Sequence, residues 1–210
     1  VFVTALLLSS STSAQEGREI ARNAFPSVVL IIANNGKSTR GSLGSGFFVR
    51  EDLIVTNYHV IKGFSRISVK LVGERKSYSG RIVTANAEKD LALIRVLGTQ
   101  AIPLSFGAAQ EVEVGDQVYA IGNPEGLETT LSNGVISGIR QVGSARYFQI
   151  SAPISHGSSG GPVLNTSGEV IGIAVGGLRS GQNLNFAISV TEVIALMKGT
   201  PGVGANIDDL

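Results

Sequence analysis

The segment of residues 155–162, Ser-His-Gly-Ser-Ser-Gly-Gly-Pro, has the composition of a nucleophile loop. Three glycines stand within five positions. A plain turn needs about one, so this backbone must approach something closely or adopt φ angles that other residues avoid. A nucleophilic serine has that requirement, because its hydroxyl must stand clear of the backbone while N–H groups converge on a developing oxyanion. We therefore predict a serine nucleophile here. The alternative is a flexible glycine–serine turn between two strands.

A serine nucleophile needs a base, and the chain offers two histidines. His59 follows the apolar run of residues 53–56, so it is expected at the end of a buried strand, where a cleft can open. His156 is the rival base. It lies three residues before Ser159 on the same loop, which is a poor position for an independent hydrogen bond to that serine. Position along the chain does not by itself decide between the two.

The base in turn needs a carboxylate that orients it. Asp90 directly precedes an alternating apolar run and is one candidate, although a turn aspartate would look the same. Asp52 and Asp116 are rivals, each in a predicted turn. Residue types and spacing alone leave this choice open as well.

Short strands joined by tight turns are expected to position these groups. Turn signals recur about every ten residues, which is typical of a sandwich or barrel rather than of βαβ units. About six strands are predicted on either side of residue 108, with a linker at 104–114 and helices at 16–25 and 190–198. The predicted strands are 28–32, 44–49, 53–56, 67–71, 79–83 and 91–96, then 117–121, 129–139, 146–150, 162–164, 170–175 and 184–188.

Composition excludes several other classes of protein. Apolar residues make up 43% of the 210 residues and charged residues 16%, which is ample for a packed core and too apolar for disorder. A net charge of +1 gives no electrostatic footprint for a nucleic acid. The absence of cysteine excludes disulfides and thiolate chemistry, and two histidines argue against a multi-histidine metal site. We therefore predict no cofactor and no metal, and a bacterial or organellar protein rather than a secreted animal enzyme.

Residues 1–14 have the pattern of a targeting segment. An apolar run at 1–8 is followed by small polar residues, and Thr12-Ser13-Ala14 resembles a small-x-small cleavage site. We expect the remnant of a signal peptide or of a membrane anchor, with a buried first strand as the alternative. This pattern favours a location outside the cytoplasm, in the periplasm or secreted, with an organelle as the alternative.

Several short motifs together resemble the chymotrypsin-like serine proteases, most closely their HtrA/Deg branch. Residues 56–60 (Thr-Asn-Tyr-His-Val), 90–93 (Asp-Leu-Ala-Leu) and 157–162 (Gly-Ser-Ser-Gly-Gly-Pro) carry the resemblance, in the order His, Asp, Ser. It covers roughly residues 18–198. Further matching segments are 26–29, 44–47, 122–124, 134–137 and 185–188.

The resemblance implies an all-β fold of two six-stranded antiparallel β-barrels with short N- and C-terminal helices. Residues 15–108 would form the N-terminal barrel, 109–198 the C-terminal barrel with its helix, and 199–210 a linker or tail. His59, Asp90 and Ser159 would form the catalytic triad. The loop Gly157-Ser158-Ser159 would supply the oxyanion hole, mainly through the N–H groups of its two outer residues.

The resemblance also bounds the choice of substrate. In the trypsin-type arrangement an acidic residue six positions before the nucleophile selects Lys or Arg, and here that position is Pro153. A buried cationic side chain would lack a partner, so we expect a small or medium aliphatic P1 residue. Ser158 replaces the usual asparagine, and Ser155-His156 replace the usual pair before Gly157. The substrate-binding residues are predicted to be Ile154, His156, Ile173, Ala174 and Val175.

The function expected from the resemblance is that of an endopeptidase acting on unfolded or misfolded proteins outside the cytoplasm. The alternative is a quiescent protease-like module that binds peptides or acts as a chaperone, although such modules usually lose a triad member. Hydrolysis of small esters would be a side activity of the same site. Family membership would also imply a homotrimer and a following PDZ domain.

Overall fold

The helices and strands are taken from a computed structural model, which describes residues 13–36, 41–123, 129–176 and 185–203. Three helices lie within these ranges: α1 (Ser13–Ala24), α2 (Tyr58–Ile61) and α3 (Val190–Lys198). The strands are β1 (Val28–Asn34), β2 (Gly41–Arg50), β3 (Leu53–Thr56), β4 (Arg66–Leu71), β5 (Ser77–Asn86), β6 (Leu91–Val96), β7 (Gln117–Gly122), β8 (Thr130–Val142), β9 (Ala145–Ile150), β10 (Pro162–Leu164), β11 (Val170–Val175) and β12 (Asn185–Ser189).

The strands close into two antiparallel barrels of six. The first runs in the order β1-β2-β3-β6-β5-β4, and the second in the order β10-β11-β12-β9-β8-β7. Closure removes the unpaired edges that an open sheet would expose. The predicted all-β fold of two six-stranded antiparallel barrels with short terminal helices is confirmed.

Side-chain alternation explains the strands of the first barrel. In β4 the buried residues Ile67, Val69 and Leu71 alternate with more exposed ones, as expected for a strand with one face in the core. The adjoining strands β3 and β6 are buried along most of their length and read as continuous apolar runs. Strand β3 ends at Thr56, shortly before His59, and β6 begins at Leu91, directly after Asp90. Since the two strands pair antiparallel, His59 and Asp90 lie at the same end of the barrel.

The core has two parts, and the larger one joins the barrels. Val28 and Phe47 of the first barrel belong to the same buried cluster as Tyr119 and Phe148 of the second. Helix α1 adds Ile20 to this cluster, together with Ala24. A smaller cluster fills the first barrel alone. The two barrels therefore pack as one body, and loops from both can share a site.

The structure adds detail that the sequence patterns did not predict. Helix α2 was not expected. The predicted linker at 104–114 is fixed to both barrels by backbone contacts. Leu104 N–H donates to the carbonyl of Phe48 at 3.0 Å, and Phe106 forms a bridge with Val170. A 3₁₀ turn follows at Ala109–Glu111.

Two predicted segments lie largely outside the described residues. Of the predicted targeting segment 1–14, the structure describes only residues 13 and 14, which begin α1. Of the predicted tail 199–210, it describes residues 199–203. In the described part of the chain, every helix is too short or too polar to cross a lipid bilayer.

Candidate active site

Ser159 lies in a tight, glycine-dependent loop before β10. A Cβ on Gly160 would stand 2.2 Å from the carbonyl oxygen of Ser45, and one on Gly161 would stand 2.0 Å from that of Ile121. Gly160 also has a φ of +89°, which side-chain-bearing residues rarely adopt. The glycines are therefore required by close packing between loops, and the reading of the segment as a merely flexible turn is wrong.

The hydroxyl of Ser159 faces the end of β11. Its Oγ accepts a hydrogen bond from Gly176 N–H at 3.0 Å, and the residue is 7% exposed. A Cβ on Gly176 would lie 2.9 Å from that oxygen, so glycine keeps the space beside the hydroxyl open.

His59 stands on the short helix α2, directly after β3. Val60 and Ile61 are buried and anchor the helix, while the His59 side chain is 47% exposed. The helix is therefore fixed by its apolar side, and the imidazole remains accessible to solvent.

Asp90 orients His59 through both carboxylate oxygens. His59 N–H donates to Oδ1 at 2.8 Å, and its Nδ1 lies 2.7 Å from Oδ2. Because an ionised carboxylate can only accept, Nδ1 carries the proton and Nε2 is left as an acceptor. The carbonyl of Asp90 accepts from Tyr58 N–H at 3.1 Å and from Asn57 Nδ2 at 3.0 Å.

Contacts between loops bring the Ser159 loop next to the residues that precede His59. Gly160 packs against Thr56 and Asn57, two and three residues before His59. In the described residues no hydrogen bond joins His59 to Ser159. Contacts of this kind often tighten only when substrate binds. Of the rivals, Asp52 pairs with Arg95 at 2.9 Å and is not the partner of His59.

Ser45 links the two barrels beneath this site. Its N–H donates to the carbonyl of Ser159 at 2.8 Å, and its Oγ donates to the carbonyl of Gly157 at 2.7 Å. The same Oγ accepts from Asn123 N–H at 2.8 Å, while Thr56 Oγ1 donates to the Ser45 carbonyl at 2.7 Å. Sequence reasoning missed this role, and the only signal was that Ser45 stands between two glycines in a matching motif.

The residues before Ser159 form a turn that uses the N–H group of Ser158. Ser158 N–H donates to the carbonyl of Ser155 at 3.0 Å, and Gly157 has a φ of +94°, as the third residue of a type II turn requires. Within the described residues, the N–H groups of Gly157 and Ser159 donate no hydrogen bond. The N–H of Ser158, which was predicted to share in the oxyanion hole, is used by this turn.

A cavity of about 200 Å³ lies beside the same loop. Ile154 and Ala174, two of the residues predicted to bind substrate, line this cavity together with Ser158 and the end of β7. Ile173 is 0% exposed and belongs to the core, so its side chain is not available to a substrate. Val175 is half-buried and His156 is exposed, and neither lines the cavity.

The pKa of Tyr147, in β9, is affected by the charges around Asp90. Burial raises the pKa of its phenol above the usual value, and the negative charges of Asp90 and Glu192 raise that pKa further. The charge of Lys89 acts in the opposite direction on the Tyr147 pKa. Charged groups from the Asp90 loop and from α3 therefore act on the Tyr147 phenol together.

The two barrels, with the His59–Asp90 pair on one and the Ser159 loop on the other, define a chymotrypsin-like fold. The trypsin-like peptidase domain family matches residues 44–173, more than half of the chain. Over 136 residues the chain is 40% identical to a protein of Chlamydia trachomatis named probable periplasmic serine endoprotease DegP-like. This match covers 62% of this chain and 27% of that protein. The chain therefore belongs to the trypsin-like peptidase family, in its HtrA/Deg branch.

Solved structures agree with this assignment. The crystal structure of Deg5 is 33% identical, with a TM-score of 0.77, and the match covers 88% of this chain and 93% of that one. The active form of the Rv3671c protease from M. tuberculosis shares the fold, with a TM-score of 0.82 at 23% identity over 97% of this chain and 93% of that one. The chain spans about a third of the length of the first curated relatives it matches.

Proposed function

We propose that the protein is a serine endopeptidase that cleaves peptide bonds through His59, Asp90 and Ser159. One observation carries the proposal. The imidazole of His59 is held by Asp90 near the Ser159 loop, and in the described residues the N–H groups of Gly157 and Ser159 donate no hydrogen bond. Such an arrangement can activate a hydroxyl and hold the oxyanion that its attack creates.

Each group has a defined part in the reaction. His59 Nε2 takes the proton of Ser159 Oγ as the oxygen attacks the scissile carbonyl, and then delivers it to the leaving amine. Asp90 keeps the Nδ1–H tautomer in place and stabilises the imidazolium. The N–H groups of Gly157 and Ser159 hold the carbonyl oxygen while it is negative. Water then hydrolyses the acyl-enzyme, with His59 again acting as base.

The cavity beside the loop supports an aliphatic P1 residue. None of the described residues that line it is ionisable, so a Lys or Arg side chain would be buried without a counter-charge. A volume of about 200 Å³ suits a small or medium side chain. Ile154 and Ala174 are proposed as its substrate-binding residues.

The wider setting is proposed from the relatives. Their names describe a periplasmic serine endoprotease and a chloroplastic protease, which supports polypeptide substrates and a location outside the cytoplasm or in an organelle. That these polypeptides are unfolded or misfolded is our proposal. A homotrimer and an N-terminal signal peptide or membrane anchor remain predictions. We propose residues 15–108 and 109–198 as the two barrel units, because the first barrel ends at Val96 and the second begins at Gln117.

A second candidate is a module that binds peptides without cleaving them. It is favoured by the hydrogen bond of Ser159 Oγ, which is made with Gly176 N–H rather than with His59. The two candidates differ in whether Ser159 becomes nucleophilic when a substrate or inhibitor occupies the site.

Covalent labelling distinguishes them. The protein is treated with a fluorophosphonate probe and, separately, with unfolded casein, alongside Ser159→Ala and the neighbouring Ser158→Ala as the matched control. We expect labelling and casein cleavage in the wild type and in Ser158→Ala, and neither in Ser159→Ala. Labelling that persists in Ser159→Ala would refute the assignment. So would casein cleavage that is equal in Ser159→Ala and the wild type. Peptide binding with no labelling at any pH from 5 to 9 would favour the second candidate.

A further inference from the structure

A partly buried ion pair links the loop that carries Asp90 to helix α3, which packs against the other barrel. Lys89 Nζ is bonded to Glu192 Oε2, and the two side chains are only 21% and 9% exposed. Lys89 lies in the turn before β6, whereas Glu192 lies in the first turn of α3. The contact joins residues that are 103 positions apart in the sequence.

The pair restrains the residue directly before Asp90. Lys89 N–H donates to Asn86 Oδ1 at 2.9 Å, so both the backbone and the side chain of Lys89 are held. With Lys89 fixed at two points, the next peptide has little freedom to rotate.

The backbone of Asp90 has a conformation that few residues other than glycine adopt. Its φ is +52°, the only positive φ at a residue other than glycine in the described ranges. This left-handed region is uncommon for side-chain-bearing residues, although aspartate adopts it more readily than most, and the contacts around Asp90 hold it there. The carbonyl of Asp90 is held from one side by Tyr58 and Asn57, and Lys89 provides the restraint on the other.

Helix α3 is a firm anchor for the far end of the pair. Its first turn is capped by Ser189, whose Oγ accepts from Thr191 N–H at 3.3 Å. Val193 and Met197 are 0% exposed and fix the helix in the core shared by the barrels. Glu192 therefore stands on an element whose position is set by packing.

We propose that Lys89 and Glu192 are positioning residues that hold Asp90 in the conformation in which both of its carboxylate oxygens reach His59. The inference rests on the proposed function and adds a part that the triad alone does not contain. A partly buried ion pair of this kind contributes little net stability, because the loss of hydration offsets much of the attraction. Its main consequence is geometric, since it couples the Asp90 loop of the first barrel to the second.

Kinetics on active-site-titrated enzyme test the proposal. Lys89→Met and Glu192→Leu each remove one partner of the pair, and the reversed double variant Lys89→Glu/Glu192→Lys restores it with opposite polarity. The matched control is Asp52→Asn, which breaks the Arg95–Asp52 pair at the far end of β6. Titration with a fluorophosphonate counts only folded, competent sites, so a loss of folded protein is not mistaken for a loss of rate.

The expected result is a fall in kcat of about tenfold to a hundredfold in each single variant, with KM unchanged, because a small misplacement of a catalytic group has that effect. The reversed variant should recover part of the loss, and the control should keep the wild-type kcat. Wild-type kcat in both single variants, or a loss confined to thermal stability, would overturn the inference.

A spectroscopic signature decides the matter even if the wild type cleaves nothing. The chain has two histidines, so the proton between His59 Nδ1 and Asp90 can be assigned by comparison with His156→Gln. We expect its downfield proton resonance to broaden or vanish in Lys89→Met and Glu192→Leu, and to persist in Asp52→Asn. A resonance unchanged in both single variants would refute the positioning role, whereas failure of wild-type turnover alone would refute only the proposed function.

Discussion

Both carboxylate oxygens of Asp90 accept a hydrogen bond from His59, one from its backbone N–H at 2.8 Å and one from its ring Nδ1 at 2.7 Å. The first bond locates the start of α2, and the second sets the direction of the imidazole. A single carboxylate therefore fixes the position of the base as well as its tautomer. Removing one oxygen should impair the chemistry while leaving the helix in place.

Asp90→Asn is expected to lower kcat by about 10⁴, the loss that the wrong histidine tautomer causes in a triad of this kind. The amide retains one acceptor oxygen for the backbone N–H of His59, so the fold should survive. Steady-state kinetics with a peptide substrate measure the loss, and circular dichroism checks the fold. An activity close to that of the wild type would contradict the role of Asp90 as orienting group.

Gly157→Ala tests the turn before the nucleophile. At a φ of +94° an alanine is strained, and flipping the preceding peptide to relieve the strain would turn the Gly157 N–H away from the site. We expect a loss of about 10²–10³ in kcat, as for the removal of one oxyanion donor. The rate of acylation by a fluorophosphonate is the measurement.

Gly143→Ala is the matched control for that variant. Gly143 has a φ of +59° in a hairpin turn and no atom within 4 Å of its would-be Cβ. Both variants should lose about 1 kcal/mol of stability, since both force alanine into the left-handed region. Equal kcat losses in the two would mean that strain, and not the oxyanion hole, is responsible.

The barrels were predictable because their strands show local signals. Alternation in β4 and continuous apolar runs in β3 and β6 can be read from neighbouring residues, and recurrent turn signals separate them. Strand ends shifted by a few residues, as in β5, which runs from Ser77 to Asn86 rather than from 79 to 83. Pairing with neighbouring strands extends a strand beyond its apolar centre, and this cannot be read from one segment.

The contacts within the site were less predictable because they join distant parts of the chain. Ser45 reaches Gly157 across 112 residues, and Lys89 reaches Glu192 across 103. No local pattern indicates which polar residues will meet at such separations. The role of Ser158 was missed for a different reason, since its N–H is used by a turn whose type depends on the φ of Gly157.

Ile154→Ala tests the proposed P1 pocket. Shortening this side chain enlarges the cavity that it lines, so larger aliphatic and aromatic P1 residues should be cleaved better relative to alanine. The change in preference should be about 10-fold or more in the ratio of kcat/KM values, the usual effect of one or more methylenes in an apolar pocket. A series of peptides that differ only at P1 provides the measurement.

Ile102→Ala serves as the control for the pocket variant, since Ile102 is 73% exposed and lies outside the cavity. It should leave the P1 preference of the wild type unchanged. An unchanged preference in Ile154→Ala would place the P1 side chain elsewhere.

Tyr147 provides a prediction for alkaline pH. Burial first, then the charge of Asp90, raises the pKa of Tyr147 above the ordinary value of 10.0, so the folded state holds the phenolic proton more tightly than the unfolded chain. The unfolded state therefore binds fewer protons above pH 10, and stability falls as pH rises through that range. The contribution is fully present below pH 10. Denaturant unfolding from pH 8 to 11 should show a steeper loss for the wild type than for Tyr147→Phe.

The causes of this shift can be separated by ultraviolet titration of the phenol, with Tyr147→Phe as the reference spectrum. Asp90→Asn should lower the Tyr147 pKa only part of the way to its ordinary value, because burial is the larger cause and remains. Tyr78 is the internal control, since the pKa of Tyr78 is raised chiefly by its hydrogen bond with Glu74. Asp90→Asn should leave the Tyr78 pKa unchanged. Glu74→Gln should lower the Tyr78 pKa and leave that of Tyr147 unchanged. A Tyr147 titration that does not respond to Asp90→Asn would show that the charge of Asp90 does not act on the second barrel.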